Sequence, residues 1–191
     1  SLPVKTIKDL IALAKANPGQ LNYASGGIGG STHLSAELFK SMAGVNIVFV
    51  PYKVNAAAMS GVIAGESHVM FNSTVSVLGP VKAGKLRALA VTSAQPTALA
   101  PGMPTVAASG LPGYEAVSPE AMLVPAKTPE AIIRRLYQET ARFLNTPEIK
   151  EKLFSVGVEV VAGPPEEMGA LLKAETARWG KVIKEAGIKV E

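Results

Sequence analysis

The residues most able to do chemistry lie in a glycine-rich stretch at positions 23–34, which reads YASGGIGGSTHL. Four glycines fall within positions 26–30, which we call the glycine loop, and a helical pattern follows directly. Because glycine has a large backbone entropy to lose on folding, such a cluster indicates a turn that lets a ligand approach backbone N–H groups. The start of a helix adds unpartnered N–H groups and a partial positive charge. Ser31, Thr32 and the neighbouring amides are therefore predicted to bind a small anion, the alternative being a tightly packed turn without a ligand.

The glycine loop lacks the residues that other glycine motifs need. A P-loop has lysine after its glycines, whereas Ser31 follows Gly30 here, and a dinucleotide fingerprint would need glycine at Thr32. A nucleophile elbow would need glycine at His33, and Ser31 and His33 do not face each other on a helix. With no cation in the loop, a carboxylate is a better candidate than a phosphate or nucleotide. His33 is kept as a candidate ligand contact, with a purely structural role as the alternative.

The composition argues against several functional classes. The chain has no cysteine, which removes disulfides, zinc-thiolate sites and thiol catalysis, and its two histidines show no metal-binding spacing. The net charge of +4 comes from scattered basic residues, and ten aromatic residues leave little for base stacking, so no nucleic acid partner is expected. No apolar run reaches the roughly 18 residues of a membrane span, and no cofactor is expected. The first residues do not form a leader, so we expect any signal peptide to have been removed or left out.

Helices and short strands alternate along the first half of the chain. Helical spacing starts after a weak capping box formed by Thr6 and Asp9 and stops at Asn17. The pattern then predicts strands at 21–25, 46–50, 68–71 and 86–92, and helices at 31–42, 55–64 and 73–83. The run at 46–50 suits a strand buried on both faces. This alternation predicts an α/β fold, with βαβ units on a mostly parallel sheet.

Prolines and glycines then break the alternation between positions 93 and 119, which predicts an irregular crossing segment. Beyond it, the pattern predicts strands at 121–124 and 158–161 and helices at 129–144, 146–156 and 164–186. We therefore expect two modules, residues 1–118 and residues 119–191.

Three loops of the first module are predicted at one edge of the sheet, because ligands of parallel sheets bind beyond the carboxyl ends of the strands. They are the glycine loop, residues 51–54 and residues 72–74. Asn72 offers a donor and an acceptor, and Ser73 follows it at a helix start, where an ordinary capping cluster is the alternative. Lys53 could hold a second carboxylate, with a solvated surface lysine as the alternative.

A succession of short segments covers the whole chain and resembles a known family. The segments are SLPVKT at 1–6, NYAS at 22–25 with the glycine loop and His33-Leu34, AELF at 36–39, VPYK at 50–53, KAGKLRALAVT at 82–92, MPTV at 103–106, GLPGY at 110–114 and PAKTP at 125–129. In this order they resemble the Bug family. These are the extracytoplasmic solute-binding proteins associated with tripartite tricarboxylate transporters.

The resemblance implies a two-lobed periplasmic binding fold that closes on a small organic carboxylate without catalysis. It also implies a periplasmic location and membrane transporter subunits or a sensor as partners. In the family, loops of both lobes hold the ligand carboxylate through backbone and hydroxyl groups and ordered waters. The matching positions here are Ser25, Gly27, Gly29, Gly30 and Ser31, with Asn72 and Ser73 as further positions.

The chain departs from the family pattern in composition and in length. Gly30 stands where Thr or Ser is common, Asn72 where aspartate is frequent, Val54 where glycine is usual and Pro119 where tryptophan is frequent. Family members also carry on the order of a hundred more residues before the position of Ser1, which is a small domain's worth of chain. We therefore expect residues 1–118 to be the second lobe and residues 119–191 to be the returning part of an incomplete first lobe.

An incomplete lobe would leave apolar surface bare, which favours pairing. We expect such surface at residues 121–124 and on the helix that carries Ile132, Ile133 and Leu136, and hence a homodimer through the C-terminal module. Two other functions remain open at this stage: an α/β enzyme that acts on a carboxylate, and a protein-interaction or sensor lobe.

Overall fold

Three short parallel strands form the sheet in a computed structural model that describes residues 2–189. Strand β1 spans Asn22–Ser25, β2 spans Val48–Pro51 and β3 spans Val69–Met70. The strand order is β2-β1-β3, and both pairings with the central strand β1 are parallel. All three strands therefore end at the same edge of the sheet, and the predicted α/β fold with a parallel sheet is confirmed.

Four helices accompany these strands: α1 at Ile7–Ala16, α2 at Ser31–Ala43, α3 at Asn55–Ala64 and α4 at Thr74–Lys82. The predicted capping box of α1 is present, because the Thr6 hydroxyl accepts from the Asp9 N–H at 3.1 Å while the Asp9 carboxylate accepts from the Thr6 N–H at 3.0 Å. Helices α2 and α3 both end on a glycine in the left-handed conformation, which only glycine adopts without a steric cost.

Two strand predictions in this half were wrong in part or in full. β2 is shorter than the predicted strand 46–50, and it is not buried on both faces, since Val48 at its start is 45% exposed. Residues 86–92 form no strand and contribute only a single bridge, between Val91 and Thr105. Pro104 precedes the bridging residue and has no N–H to donate, so the ladder cannot extend in that direction.

The crossing segment packs into the core of the first half of the chain. Val106 and Tyr114 of this segment are among the largest fully buried side chains of that core, together with Tyr23, Phe39 and Leu10. The Tyr114 hydroxyl also donates a hydrogen bond to the carbonyl of Ser35 in α2, at 3.0 Å. The prolines of this segment therefore shape an ordered cover for α2 in place of regular secondary structure.

The chain divides into two compact units. One contains the residues up to Ser118 and those from Lys181 on, and the other is Pro119–Gly180. Helices α5 at Glu130–Leu144, α6 at Pro147–Ser155 and α7 at Pro165–Glu185 follow the predicted pattern, and α7 passes from the second unit into the first. The assignment of residues 1–118 and 119–191 to the lobes of a larger fold stays a prediction.

The predicted strands at 121–124 and 158–161 were wrong, since neither segment is a strand. Leu123 is 75% exposed and Val161 is 86% exposed. A β-branched or apolar run forms a strand only where another strand supplies hydrogen bonds and packing, and no described strand pairs with either segment. Among residues 2–189, no helix combines the length and apolar character that a bilayer span requires.

Candidate functional site

The glycine loop joins β1 to α2, and two of its glycines meet different structural demands. Gly29 has φ +75°, a left-handed conformation that side chains disfavour. Gly26 packs directly on the start of α3, where a Cβ would overlap the backbone of Val54 and Asn55. The loop therefore combines close packing at its first residue with a special backbone conformation near its tip.

Three polar side chains from different elements meet at the base of the loop. The Ser25 hydroxyl lies 2.8 Å from the Thr32 hydroxyl and 3.2 Å from the carbonyl of Gly27. Asn55 Oδ1 accepts two hydrogen bonds, from the Gly26 N–H at 3.0 Å and from the Thr32 hydroxyl at 3.2 Å. The sequence pattern predicted Thr32 and the family resemblance implied Ser25, but neither pointed to Asn55.

Asn55 has a second polar group that these contacts leave available. Both bonds use its carbonyl oxygen, and one comes from a backbone N–H, so the orientation of the side-chain amide is fixed. No hydrogen bond from its NH₂ group to another described residue is present, and the residue is exposed. Its position after β2, at the same edge as the glycine loop, was the sequence signal that would have identified it.

The first turn of α2 presents unpaired backbone donors. The helix ladder starts with the Leu34 N–H, which donates to the carbonyl of Gly30 at 2.9 Å. The residues described by the structure offer no acceptor to the N–H groups of Ser31, Thr32 and His33. The N-cap is Gly30, not Ser31, so no side chain caps these donors, and the first turn has no acidic residue. Among the described residues, no acidic side chain of the first turn and no side-chain cap therefore compensates the partial positive charge of this helix start.

His33 lies beneath the loop, with only 4% of its surface exposed. Its Nδ1 accepts a hydrogen bond from the Gly29 N–H at 3.0 Å, and its ring stacks on Phe49 with 4.3 Å between the ring centroids. Burial lowers the pKa of His33, the charge of Lys40 lowers it further, and the charge of Glu37 works in the opposite direction. The imidazole is thus neutral at neutral pH and supports the loop from below.

Glu37 is the charged centre of the layer below the loop. Its carboxylate accepts hydrogen bonds from the Tyr23 hydroxyl and, at 2.7 Å, from Lys40. Burial raises the pKa of Tyr23, and the bond to Glu37 raises it further. The phenol therefore remains a hydrogen-bond donor, and Lys40 balances the charge of the buried carboxylate.

Asn72 and Ser73 follow β3, next to β1 at the same edge of the sheet. The connection after β1 leads to one side of the central strand and the connection after β2 leads to its other side, so the strand order reverses between β1 and β3. Parallel sheets bind ligands at such a switch point. Asn72 Oδ1 accepts from the Ser73 N–H at 2.9 Å, and the Ser73 hydroxyl lies 2.7 Å from that of Ser76. No contact with the glycine loop is among the described hydrogen bonds. The structure thus brings Ser25, Thr32 and Asn55 together and leaves Asn72 and Ser73 as separate candidates.

Exposed apolar and basic side chains lie beside these donors in the sequence. Ile28 at the tip of the glycine loop is 57% exposed, and Val54, directly before Asn55, is similarly exposed. Lys53 is also exposed. The site can therefore offer backbone and amide donors to an oxygen anion, with apolar surface beside them for a short carbon chain.

Comparison with known proteins identifies the family. The model of the tripartite tricarboxylate transporter family receptor, TctC, matches residues 1–188. A UPF0065 protein from the tcbD-tcbE intergenic region of Pseudomonas sp. (strain P51) is 36% identical over 182 residues. That alignment covers 95% of this chain and 54% of the relative, so the chain spans about half the length of that curated relative.

Solved structures agree. The R. palustris protein Rpa4515, solved with adipate, is 39% identical with a TM-score of 0.85 over 98% of this chain and 63% of that one. The periplasmic binding protein BugD is 28% identical with a TM-score of 0.76 over 100% of this chain and 64% of that one. The resemblance to the Bug proteins is confirmed, and the chain belongs to the TctC family of tripartite tricarboxylate transporter receptors.

Proposed function

We propose that this chain carries a carboxylate-binding site of a periplasmic solute-binding protein, which captures a small organic carboxylate for uptake or sensing without catalysis. The observation that carries the proposal is the uncapped start of α2, where the backbone N–H groups of Ser31, Thr32 and His33 have no acceptor among residues 2–189. An anionic ligand is the natural partner of such donors. The family match supports delivery to the membrane subunits of a transporter.

The site offers each part of such a ligand a separate group. One carboxylate oxygen accepts from the N–H groups at the start of α2, and the NH₂ group of Asn55 donates to the other oxygen. Ile28 and Val54 provide apolar surface for the carbon chain. Lys53, two residues before Asn55, is a candidate for pairing with a second carboxylate. These features, and the adipate in the 39% identical structure, favour a linear aliphatic dicarboxylate.

The position of His33 argues against an enzyme that would use Ser31 as a nucleophile. Such a serine needs a base within hydrogen-bond reach. His33 Nδ1 is already bonded to the Gly29 N–H, and the ring is buried below the loop. A binding role without chemistry accounts for the same residues.

Ligand-induced melting shifts test the proposal. A ligand that binds only the folded state stabilises it by RT ln(1 + [L]/Kd), or about 2.7 kcal/mol at a hundred times Kd. We expect a shift with adipate and a smaller one with hexanoate, which has the same chain length and a single carboxylate. Adipamide, the neutral analogue, is expected to give none. Equal shifts with adipate and adipamide, or no shift with any carboxylate of a broad panel, would refute the proposal.

A second copy of the chain is the proposed protein partner besides the transporter or sensor. In the second unit, α5 exposes Ile132, Leu136 and Phe143, and α6 exposes Phe154. Exposed apolar surface of this kind favours association. We expect light scattering to detect a dimer whose population grows with concentration. A monomer at every concentration up to the solubility limit would exclude it.

A further inference from the structure

We infer that His33 is a positioning residue: its unprotonated Nδ1 holds the tip of the glycine loop in the binding conformation, and protonation of the ring releases the tip. The inference rests on the proposed carboxylate site and assigns to a buried residue below it control over the shape of that site. It also predicts that carboxylate binding is lost in acid by a route that does not involve the ligand.

The bond between Gly29 and His33 determines how the loop tip is held. Among residues 2–189, this is the single hydrogen bond between a side chain and the backbone of positions 28–30. It turns the Gly29 N–H inward, in keeping with the left-handed backbone at that residue. The chain then enters α2 with the N–H groups of the first turn free for a ligand. Without this bond, a glycine-rich tip has many other conformations available.

The position of Nδ1 is fixed by packing around the ring. His33 lies on Phe49 of β2 with 28° between the ring planes, and the ring of Tyr23 of β1 is 6.1 Å away. The residue is 4% exposed. A ring held on both strands cannot turn to find another partner, so the acceptor stays beneath Gly29.

The charged groups that face the ring set when it takes up a proton. Glu37 Oε1 lies 3.9 Å from Nε2, and the same oxygen binds Lys40 and the Tyr23 hydroxyl. Burial and Lys40 lower the pKa of His33 below its usual value, against the effect of Glu37. The acceptor is therefore intact at neutral pH and disappears as the pH falls through this lowered pKa. In the protonated ring both nitrogens are donors, so Nδ1–H would face the Gly29 N–H.

Two substitutions separate the hydrogen bond from packing. His33→Phe keeps an aromatic ring between Tyr23 and Phe49 but removes the acceptor. His33→Asn removes the ring but places a side-chain oxygen close to the position of Nδ1. The variants are compared with the wild-type chain in melting temperature, in adipate affinity from pH 7.5 down to the onset of acid unfolding, and in amide hydrogen exchange at Gly29.

Between the two variants, we expect the order of affinity to be opposite to the order of melting temperature. His33→Phe should melt close to the wild type but bind adipate about tenfold more weakly, on the scale of one hydrogen bond. It should also lose protection of the Gly29 amide. His33→Asn should melt lower yet keep its affinity within about threefold and retain the protection. The wild-type affinity should fall more steeply than that of His33→Asn as the pH is lowered, and titration of adipate itself cancels in this comparison.

Other results would overturn either the role of His33 or the proposed function. Affinities that follow the melting temperatures, with parallel pH profiles for the wild type and His33→Asn, would show that His33 only packs and would overturn the inference. If the wild type binds no carboxylate, the proposed function fails, while exchange at Gly29 still decides whether His33 holds the loop. Equal Gly29 exchange in all three proteins would overturn the inference irrespective of any ligand.

Discussion

Asn55→Asp is expected to weaken carboxylate binding strongly without weakening the fold. The new side chain keeps the acceptor oxygen that receives the hydrogen bonds of the Gly26 N–H and the Thr32 hydroxyl. Asn55 is also the first residue of α3, whose first turn has no acidic side chain. A negative charge at this position interacts favourably with the helix dipole by about 0.3–1 kcal/mol. The variant should therefore melt at or slightly above the wild-type temperature.

The same substitution acts on the ligand in two ways. It removes the NH₂ donor, and a hydrogen bond to a charged group contributes about 1.5–3 kcal/mol. It also places a negative charge beside the bound carboxylate, which costs about 1 kcal/mol at 4 Å in bulk water and more near a protein surface. Together they amount to at least about 2.5 kcal/mol, which corresponds to a loss of affinity of about seventyfold or more.

Calorimetric titration of adipate into the wild type, Asn55→Asp and Asn55→Ala tests this reasoning. Asn55→Ala is the matched control, because it loses both the donor and the acceptor and should be less stable and weaker in binding. Asn72→Asp makes the same chemical change on the neighbouring loop, and its effect measures the part that Asn72 plays. If Asn55→Asp binds adipate within threefold of the wild type, the amide of Asn55 does not contact the carboxylate.

Three further outcomes are expected. Ser31→Ala should weaken adipate binding by about 1 kcal/mol or more, the scale of a hydrogen bond from its hydroxyl to the ligand. Its melting temperature should not change, because Gly30 and not Ser31 is the N-cap. If calorimetry finds an unchanged affinity, the Ser31 hydroxyl does not contact the ligand. Gly61→Ala should lower the unfolding free energy by about 1–3 kcal/mol, because its Cβ would overlap the Tyr52 hydroxyl. Urea denaturation measures this change, and an unchanged midpoint would contradict the close contact between Gly61 and Tyr52. The lowered pKa of His33 means that the unfolded chain binds a proton more readily, so stability should fall as the pH drops from 6.5 through the folded-state value. Urea midpoints should fall with decreasing pH in the wild type and fall less in His33→Asn. An equal dependence of the midpoint on pH in both proteins would contradict this role of His33.

Local signals in the sequence were sufficient for the helices and for part of the site. The helix predicted at 55–64 has those limits in the structure, since Gly65 ends it and a β-strand precedes it. Thr32 was predicted because it follows the glycine loop at a helix start, whereas Ser25 was implied only by the family resemblance. The strands predicted at 121–124 and 158–161 failed because a strand depends on a partner that the local pattern does not reveal.

Asn55 and His33 show a different limit of sequence reasoning. The role of Asn55 depends on Gly26, which lies 29 positions earlier and meets it only through the pairing of β1 with β2. The bond between Gly29 and His33 spans four positions and was within reach of sequence analysis. The sequence left open whether His33 contacts a ligand or has a structural role, and in the structure its Nδ1 accepts a hydrogen bond from the Gly29 N–H.

A buried carboxylate below the proposed anion site is consistent with binding only if its charge is balanced. Glu37 lies in the same helix as the free N–H groups of Ser31 and Thr32, within about 10 Å at 1.5 Å per residue. Alone it would oppose the partial positive charge of the helix start. Lys40, at 2.7 Å, makes the pair neutral overall, and the Tyr23 hydroxyl satisfies a further lone pair. The field at the loop is therefore set mainly by the uncapped helix start. Because burial lowers the pKa of His33 and keeps the ring neutral, the layer can hold the loop through the acceptor Nδ1.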